Sequence, residues 1–328
     1  MHIPENYLSP STCAVTTVAM IPVWATAVRK VRQSVPQEKM PFLGVAAAFC
    51  FLSMMFNIPL PGGTTGHAVC GTLIAILFGP WAAVLAVSIA LAIQAVFFGD
   101  GGILAFGANC LNMAFVLPFV GYAVYSWLKE RLKGDNGQLI AAGIGSYVGL
   151  NAAALCAALE FGIQPLLFTD AAGNALYCPY PLSVAIPAMM LGHLTVAGLA
   201  EAGFTVGILA FLRNTMPSFG IGELSSGDNK TAPVIGLVCA LIAATPLGLL
   251  ATGDAWGEWG LEDLAESVGY EPAGMANGWE WSSFMPDYSI GALPEWIGYM
   301  LSAIIGAALL ILIFRLLANT SKKTVDFG

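Results

Sequence analysis

The chain has 328 residues, 57% of them hydrophobic and only 10% charged, with a formal net charge of -8. Soluble domains carry about 25% charged residues, so a soluble globular fold is excluded. A mean hydropathy of +0.77 points to an all-α polytopic membrane helix bundle, with the lipid bilayer as its surroundings and no nucleic acid partner.

Glycine and proline clusters divide the chain into about nine apolar segments, most of them near the roughly 20 residues a helix needs to cross a bilayer. The first runs from about Ser11 to Val28 and ends in Arg29, Lys30 and Arg32. The second, Pro41 to Phe56, stops at the stretch 57–67, where Pro59, Pro61, Gly62, Gly63 and Gly66 form the densest breaker cluster in the chain. Such backbone cannot propagate a helix, and near a membrane it is tolerated only where protein or a water-filled cavity covers it. His67 leaves this loop at the start of a short third segment, Ala68 to Gly79. A fourth ends at Phe98, before the turn Gly99-Asp100-Gly101-Gly102.

The fifth segment, Ile103 to Trp127, carries Asn109 and Asn112 one helical turn apart. Polar amides inside a span glue helices together or, beside a site, orient its ligands. The sixth runs from Leu139 to Phe161, and the seventh, Leu182 to Leu212, contains His193 and Glu201. Residues 216–231 read as a linker, separating a domain over 1–215 from a two-span region over 232–328. Those two spans, Pro233 to Ala251 and Pro294 to Leu317, flank an acidic connection holding Trp256, Trp259, Trp279 and Trp281, residues expected in an interfacial aromatic belt.

All 12 lysines and arginines fall at one set of segment ends. By the positive-inside rule this side is cytoplasmic, which puts the N-terminus outside and the C-terminus inside. No charged region or cleavage site precedes the first apolar run, so no signal peptide is expected. The seven cysteines are odd in number and lack CxxC spacing, which fits helix packing and neither a disulfide framework nor a thiolate metal site.

One of only three histidines directly follows the start methionine. A free α-amine, the amide nitrogen between Met1 and His2, and the His2 imidazole can close two small chelate rings on one divalent cation. Histidine is too large a second residue for the aminopeptidase that trims initiator methionines, so Met1 is expected to be retained. The predicted topology puts His67 on the same side, and its imidazole completes a four-nitrogen, roughly square-planar set. Such a set suits Ni²⁺ or Cu²⁺ and is open to Co²⁺, whereas structural Zn²⁺ prefers tetrahedral Cys and His ligands. Metal ligands are thus expected at Met1, His2 and His67, with Thr65, Asn109 and Asn112 as supporting candidates. His193 and Glu201, as ionisable groups inside a span, form a weaker candidate pair.

No G-x-x-x-x-G-K-[ST], HExxH or G-x-S-x-G motif occurs. The remaining alternatives are a structural or signalling membrane protein, and a membrane enzyme using His193 and Glu201. Met1-His2-Ile3-Pro4, Pro61-Gly62-Gly63-Thr64-Thr65-Gly66-His67, Phe78-Gly79-Pro80-Trp81, Phe98-Gly99-Asp100-Gly101-Gly102 and Gly107-Ala108-Asn109 together resemble the substrate-specific component, CbiM or NikM, of cobalt and nickel transporters of the energy-coupling-factor class. The resemblance covers at least residues 1–215. It implies a binding subunit that is not itself an enzyme and holds no permanent cofactor. In it the terminal amine, His2 and His67 hold Co²⁺, or alternatively Ni²⁺, as cargo. It also implies a membrane coupling subunit and two cytoplasmic ATPases as partners. The last two spans are similar to the two-span accessory protein of such systems, here fused.

Overall fold

The structure, a computed structural model, describes residues 1–216, 219–220, 223–224 and 232–322. Most of the linker expected over 216–231 lies outside the described residues. Each of the nine apolar segments contains a helix. They are α1 Pro10–Ser34, α2 Met40–Met54 and α3 Gly71–Phe78, then α4 Pro80–Phe98, α5 Phe106–Lys129, α6 Gly134–Leu167, α7 Leu182–Thr215, α8 Ala232–Leu250 and α9 Glu295–Asn319. Among the described residues seven helices, α1 and α4 through α9, are long and apolar enough to cross a membrane.

The two short helices carry the site between them. α2 has 15 residues and is buried continuously from Ala47 to Met54, the mark of a helix surrounded by protein on every side. It packs against α4 and α9, and contact with α9 is close because Gly44 and Gly306 offer no side chain to Phe314 and Phe51. α3 has only 8 residues and begins at Gly71, later than expected, because residues 68–70 belong to the irregular stretch after the breaker cluster.

That cluster folds as a small antiparallel hairpin, β1 Ile58–Leu60 with β2 Thr64–Gly66. Its turn needs glycine, since Gly62 and Gly63 have φ of 91° and 78°. A parallel bridge joins Thr65 to Ala255, from the connection between α8 and α9. This connection therefore lies against the hairpin and does not extend away as a solvated loop.

Two of its tryptophans pack onto the protein itself. Trp256 and Trp259 pack edge-to-face on each other and against Phe161 and Tyr180, where they support the N-terminal segment. Trp279 and Trp281 are exposed and stacked. The described cysteines are all free and mostly buried, as a packing role requires.

Three helices contain π-helical turns, over Gln94–Phe98, Cys110–Val116 and His193–Ala197. Such turns concentrate at functional sites because they re-aim side chains at the cost of the regular hydrogen-bond ladder. Here Asp100 follows the first, Asn109 immediately precedes the second and His193 opens the third.

Candidate metal centre

Residues 1–9 enter the protein instead of fraying at its surface: Met1, His2, Ile3, Tyr7, Leu8 and Ser9 are all buried. Buried backbone without regular structure must find other partners for its polar groups. Ile3 N–H donates to Asn109 Oδ1 at 2.7 Å, while Ile3 O accepts from Asn109 Nδ2 at 3.0 Å and from Gly102 N–H at 2.8 Å. The Glu5 carboxylate accepts from the N–H groups of Ile103 at 2.6 Å and Leu104 at 3.2 Å. Burial raises the Glu5 pKa, an effect these donors oppose. Tyr7 OH donates to Trp259 O at 2.7 Å, and Ser9 N–H to Gln164 Oε1 at 3.0 Å. Ser9 then caps α1, its hydroxyl accepting from Thr12 N–H at 3.1 Å ahead of Pro10 at the first helical position.

This anchoring sets the chain end against His67. His2 Nδ1 lies 3.2 Å from His67 Nε2, and the two residues are 2% and 6% exposed. Nitrogen ligands at about 2.0–2.1 Å from one ion, in adjacent corners of its coordination shell, stand about 3 Å apart. The imidazoles already have that separation. His67 Nδ1 faces Ala68 O at 3.3 Å, and the tautomer that donates there turns the Nε2 lone pair toward His2. His2 Nδ1 is also 3.1 Å from Asp100 Oδ1, so a proton on it has two acceptors. Burial is the main force driving the His67 pKa well below the usual histidine range, followed by the positive terminal amine and His2. Burial thus favours the neutral imidazole, which is the form that binds metals.

The Met1 amine is 3.1 Å from Glu258 Oε1. Among the described residues the His2 backbone N–H has no hydrogen-bond partner. No group of three or more His, Cys, Asp or Glu side chains able to hold a metal occurs among the described residues either. A metal site here needs the backbone nitrogens of the chain end beside its two imidazoles.

The other expected residues have separate tasks. Asn109 clamps Ile3, whereas Asn112 donates to Glu160 Oε2 at 2.6 Å and does not reach the imidazoles. Thr65 binds the α8–α9 connection, its N–H donating to Asp254 O at 3.1 Å and its hydroxyl to Gly253 O at 3.2 Å. His193 is buried with Nδ1 2.8 Å from Met189 O. Glu201 is fully buried and binds the backbone ahead of α3. Nothing in the sequence marks Asp100 or Glu258 as neighbours of the chain end. Asp100 sat in a glycine turn, and Glu258 was one of many acids in an apparently solvated stretch.

If the chain end and His67 hold a transition-metal ion, Asn109→Ala is expected to weaken its binding by about 10- to 100-fold, the usual cost of removing a residue that orients metal ligands. It leaves Ile3 N–H, next to His2, without its partner and Ile3 O with Gly102 N–H alone. Calorimetric titration of the variant against the native chain checks this.

Apolar spanning helices around a buried, nitrogen-rich chain end define a multi-pass membrane protein with a candidate site for a transition-metal ion. The chain belongs to the CbiM family, whose model, described as the cobalt uptake substrate-specific transmembrane region, matches residues 2–219. A PDGLE domain matches residues 230–323. The chain is similar to the probable fused nickel transport protein LarMN of Lactiplantibacillus plantarum, at 46% identity over 96% of this chain and 97% of that one. It is also similar to the fused nickel transport protein NikMN of Rhodobacter capsulatus, at 48% identity over 95% of each. A crystal structure of a truncated transition metal transporter superposes with a TM-score of 0.62 at 53% identity, over 65% of this chain and 99% of that one. These relatives are transport proteins and not enzymes.

Proposed function

We propose that this chain is the metal-capturing subunit of an energy-coupling-factor transporter that imports Ni²⁺. The observation that carries the proposal is the 3.2 Å approach of His2 Nδ1 to His67 Nε2 beside the buried chain end. The Met1 amine, the His2 amide, His2 Nδ1 and His67 Nε2 supply four nitrogens, and a tetragonal nitrogen set favours Ni²⁺ among the divalent ions a cell imports. The resemblance alone put Co²⁺ first. The tetragonal donor set and the full-length similarity to two fused nickel transport proteins put Ni²⁺ ahead of it. The metal is cargo and not a resident cofactor.

Orientation follows from the charges: Arg29, Arg32, Lys129, Arg131 and Arg213 lie at the ends of α1, α5 and α7 away from the N-terminal segment. The site therefore faces the outside. With no phosphate-binding loop of its own, the chain takes its driving force from a membrane coupling subunit and two cytoplasmic ATPases. Residues 1–215 form the capturing unit. Residues 232–328 form a fused accessory unit that holds the chain end through Glu258 and Trp259, and the hairpin ahead of His67 through Asp254.

Titration of the purified chain with Ni²⁺ and Co²⁺ tests this reading. Stoichiometric binding with Ni²⁺ the tighter ion is expected. Weaker binding of Ni²⁺ than of Co²⁺ overturns the choice of cargo, and the absence of binding overturns the site.

The pH dependence has a definite sign. Ligation requires the amine and the amide to lose protons, so affinity falls as pH is lowered from about 8 to about 6. His67 is held neutral by burial, so its protonation adds to the loss only at lower pH than an exposed histidine would. Calorimetry in buffers of different ionisation enthalpy should show protons released on Ni²⁺ binding.

A further inference from the structure

Glu201 is a buried acid that the metal centre leaves unexplained. It is fully buried in α7, and no cation is paired with it among the described residues. Its partners are backbone amides: Oε2 accepts from Val69 N–H at 2.7 Å and from Cys70 N–H at 2.9 Å, and Oε1 from Cys70 N–H at 3.0 Å. These amides stand at the start of α3. There Cys70 has a left-handed φ of 62° and no side chain caps the helix locally. A carboxylate from a distant span therefore does the work of a cap, stabilised by the positive end of the helix dipole.

The position of the bond matters more than the cap itself. Val69 N–H belongs to the same peptide unit as Ala68 O, and that unit is planar. Ala68 O is the group facing His67 Nδ1 at 3.3 Å. Glu201 thus grips one edge of a rigid plate whose other edge sets the tautomer and direction of the His67 ring. A charged partner on the N–H also polarises the unit and makes its carbonyl a stronger acceptor. The connected series runs from the Glu201 carboxylate, through the Ala68–Val69 peptide, to His67 Nδ1. From there it passes across the ring to Nε2, which faces His2. Histidine ligands ordinarily take their orientation from a carboxylate or a backbone carbonyl; here the two are arranged in series.

We infer that Glu201 is a positioning residue for His67, acting through the Ala68–Val69 peptide to aim Nε2 at the transported metal. This inference rests on the proposed metal site. It ties α7, the helix that crosses from the site to the basic end, to the one ligand that is not part of the N-terminal segment.

The test is a cycle of Glu201→Ala and His67→Ala in the full chain, read as Ni²⁺ affinity, with Glu201→Gln as the variant that keeps shape and one acceptor oxygen. In the native background Glu201→Ala should weaken affinity by about 10- to 100-fold, with Glu201→Gln between it and the native chain. In the His67→Ala background, where there is no ring left to aim, Glu201→Ala should change affinity by less than about twofold, because coupled residues are not additive. If Glu201→Ala does not fold, the same comparison is made with Glu201→Gln. Equal losses in both backgrounds would show a general structural role and overturn the inference, as would unchanged affinity in the native background. If His67→Ala alone leaves Ni²⁺ affinity unchanged, it is the metal site itself that fails.

Discussion

His2→Ala is expected to lower Ni²⁺ affinity by about 100- to 1,000-fold. Four-ligand metal sites bind with roughly 10–16 kcal/mol, so one ligand in four contributes on the order of 3–4 kcal/mol, and each 1.4 kcal/mol is tenfold. The loss should exceed that of His67→Ala. His2 closes the second chelate ring, and without it the amide nitrogen is no longer held between two anchored donors. The fold should survive the change. The N-terminal segment stays fastened by Asn109 on Ile3, by Glu5 on Ile103 and by Gln164 on Ser9, none of which involves the imidazole. Circular dichroism should show native helicity while calorimetry shows the lost affinity. A variant with native affinity would remove His2 from the site.

Much of the fold could be read from where helices cannot continue. The proline and glycine clusters at 57–66 and 99–102 mark real interruptions, and each apolar segment between such marks contains a helix. Length was less legible. α3 starts at Gly71 because Glu201 caps residues 69 and 70, a contact across 132 positions of sequence that no local pattern announces. For the candidate site, position alone singled out His2, and a breaker loop next to an ionisable group singled out His67. Their meeting depends on an N-terminal segment that turns inward, which becomes clear only when Asn109, Gly102 and Gln164 are seen taking its backbone groups.

Glu258 shows the limit most clearly. Among the acids of the α8–α9 connection nothing in composition distinguishes it, yet its carboxylate stands 3.1 Å from the Met1 amine, 257 residues away. Trp256 and Trp259 were hidden in the same way: the sequence marks them as boundary tryptophans, and their packing against Phe161 and Tyr180 is tertiary. Asn109 and Asn112 share a sequence pattern but not a role. A π-helical turn begins between them at Cys110, and their amides reach different neighbours.

The second large effect comes from the chain end itself. If the α-amine is a ligand, residues added before Met1 turn that nitrogen into a peptide amide and carry the free amine away from the first chelate ring. Both imidazoles stay in place. Two residues are the right number to add, because a single one would make histidine third in the chain and build a different chelate from the amine, two amides and the imidazole. Met1 is buried, so the extension also separates the amine from Glu258. Affinity should fall at least as far as with His2→Ala, by about 100-fold or more.

The most direct measurement is therefore Ni²⁺ affinity of the full chain with and without two glycines preceding Met1, with helicity checked on both. Loss of about two orders of magnitude or more with the fold intact is the result expected if the chain terminus binds the metal. Unchanged affinity would contradict it and leave the buried N-terminal segment as a structural plug with no part in metal capture.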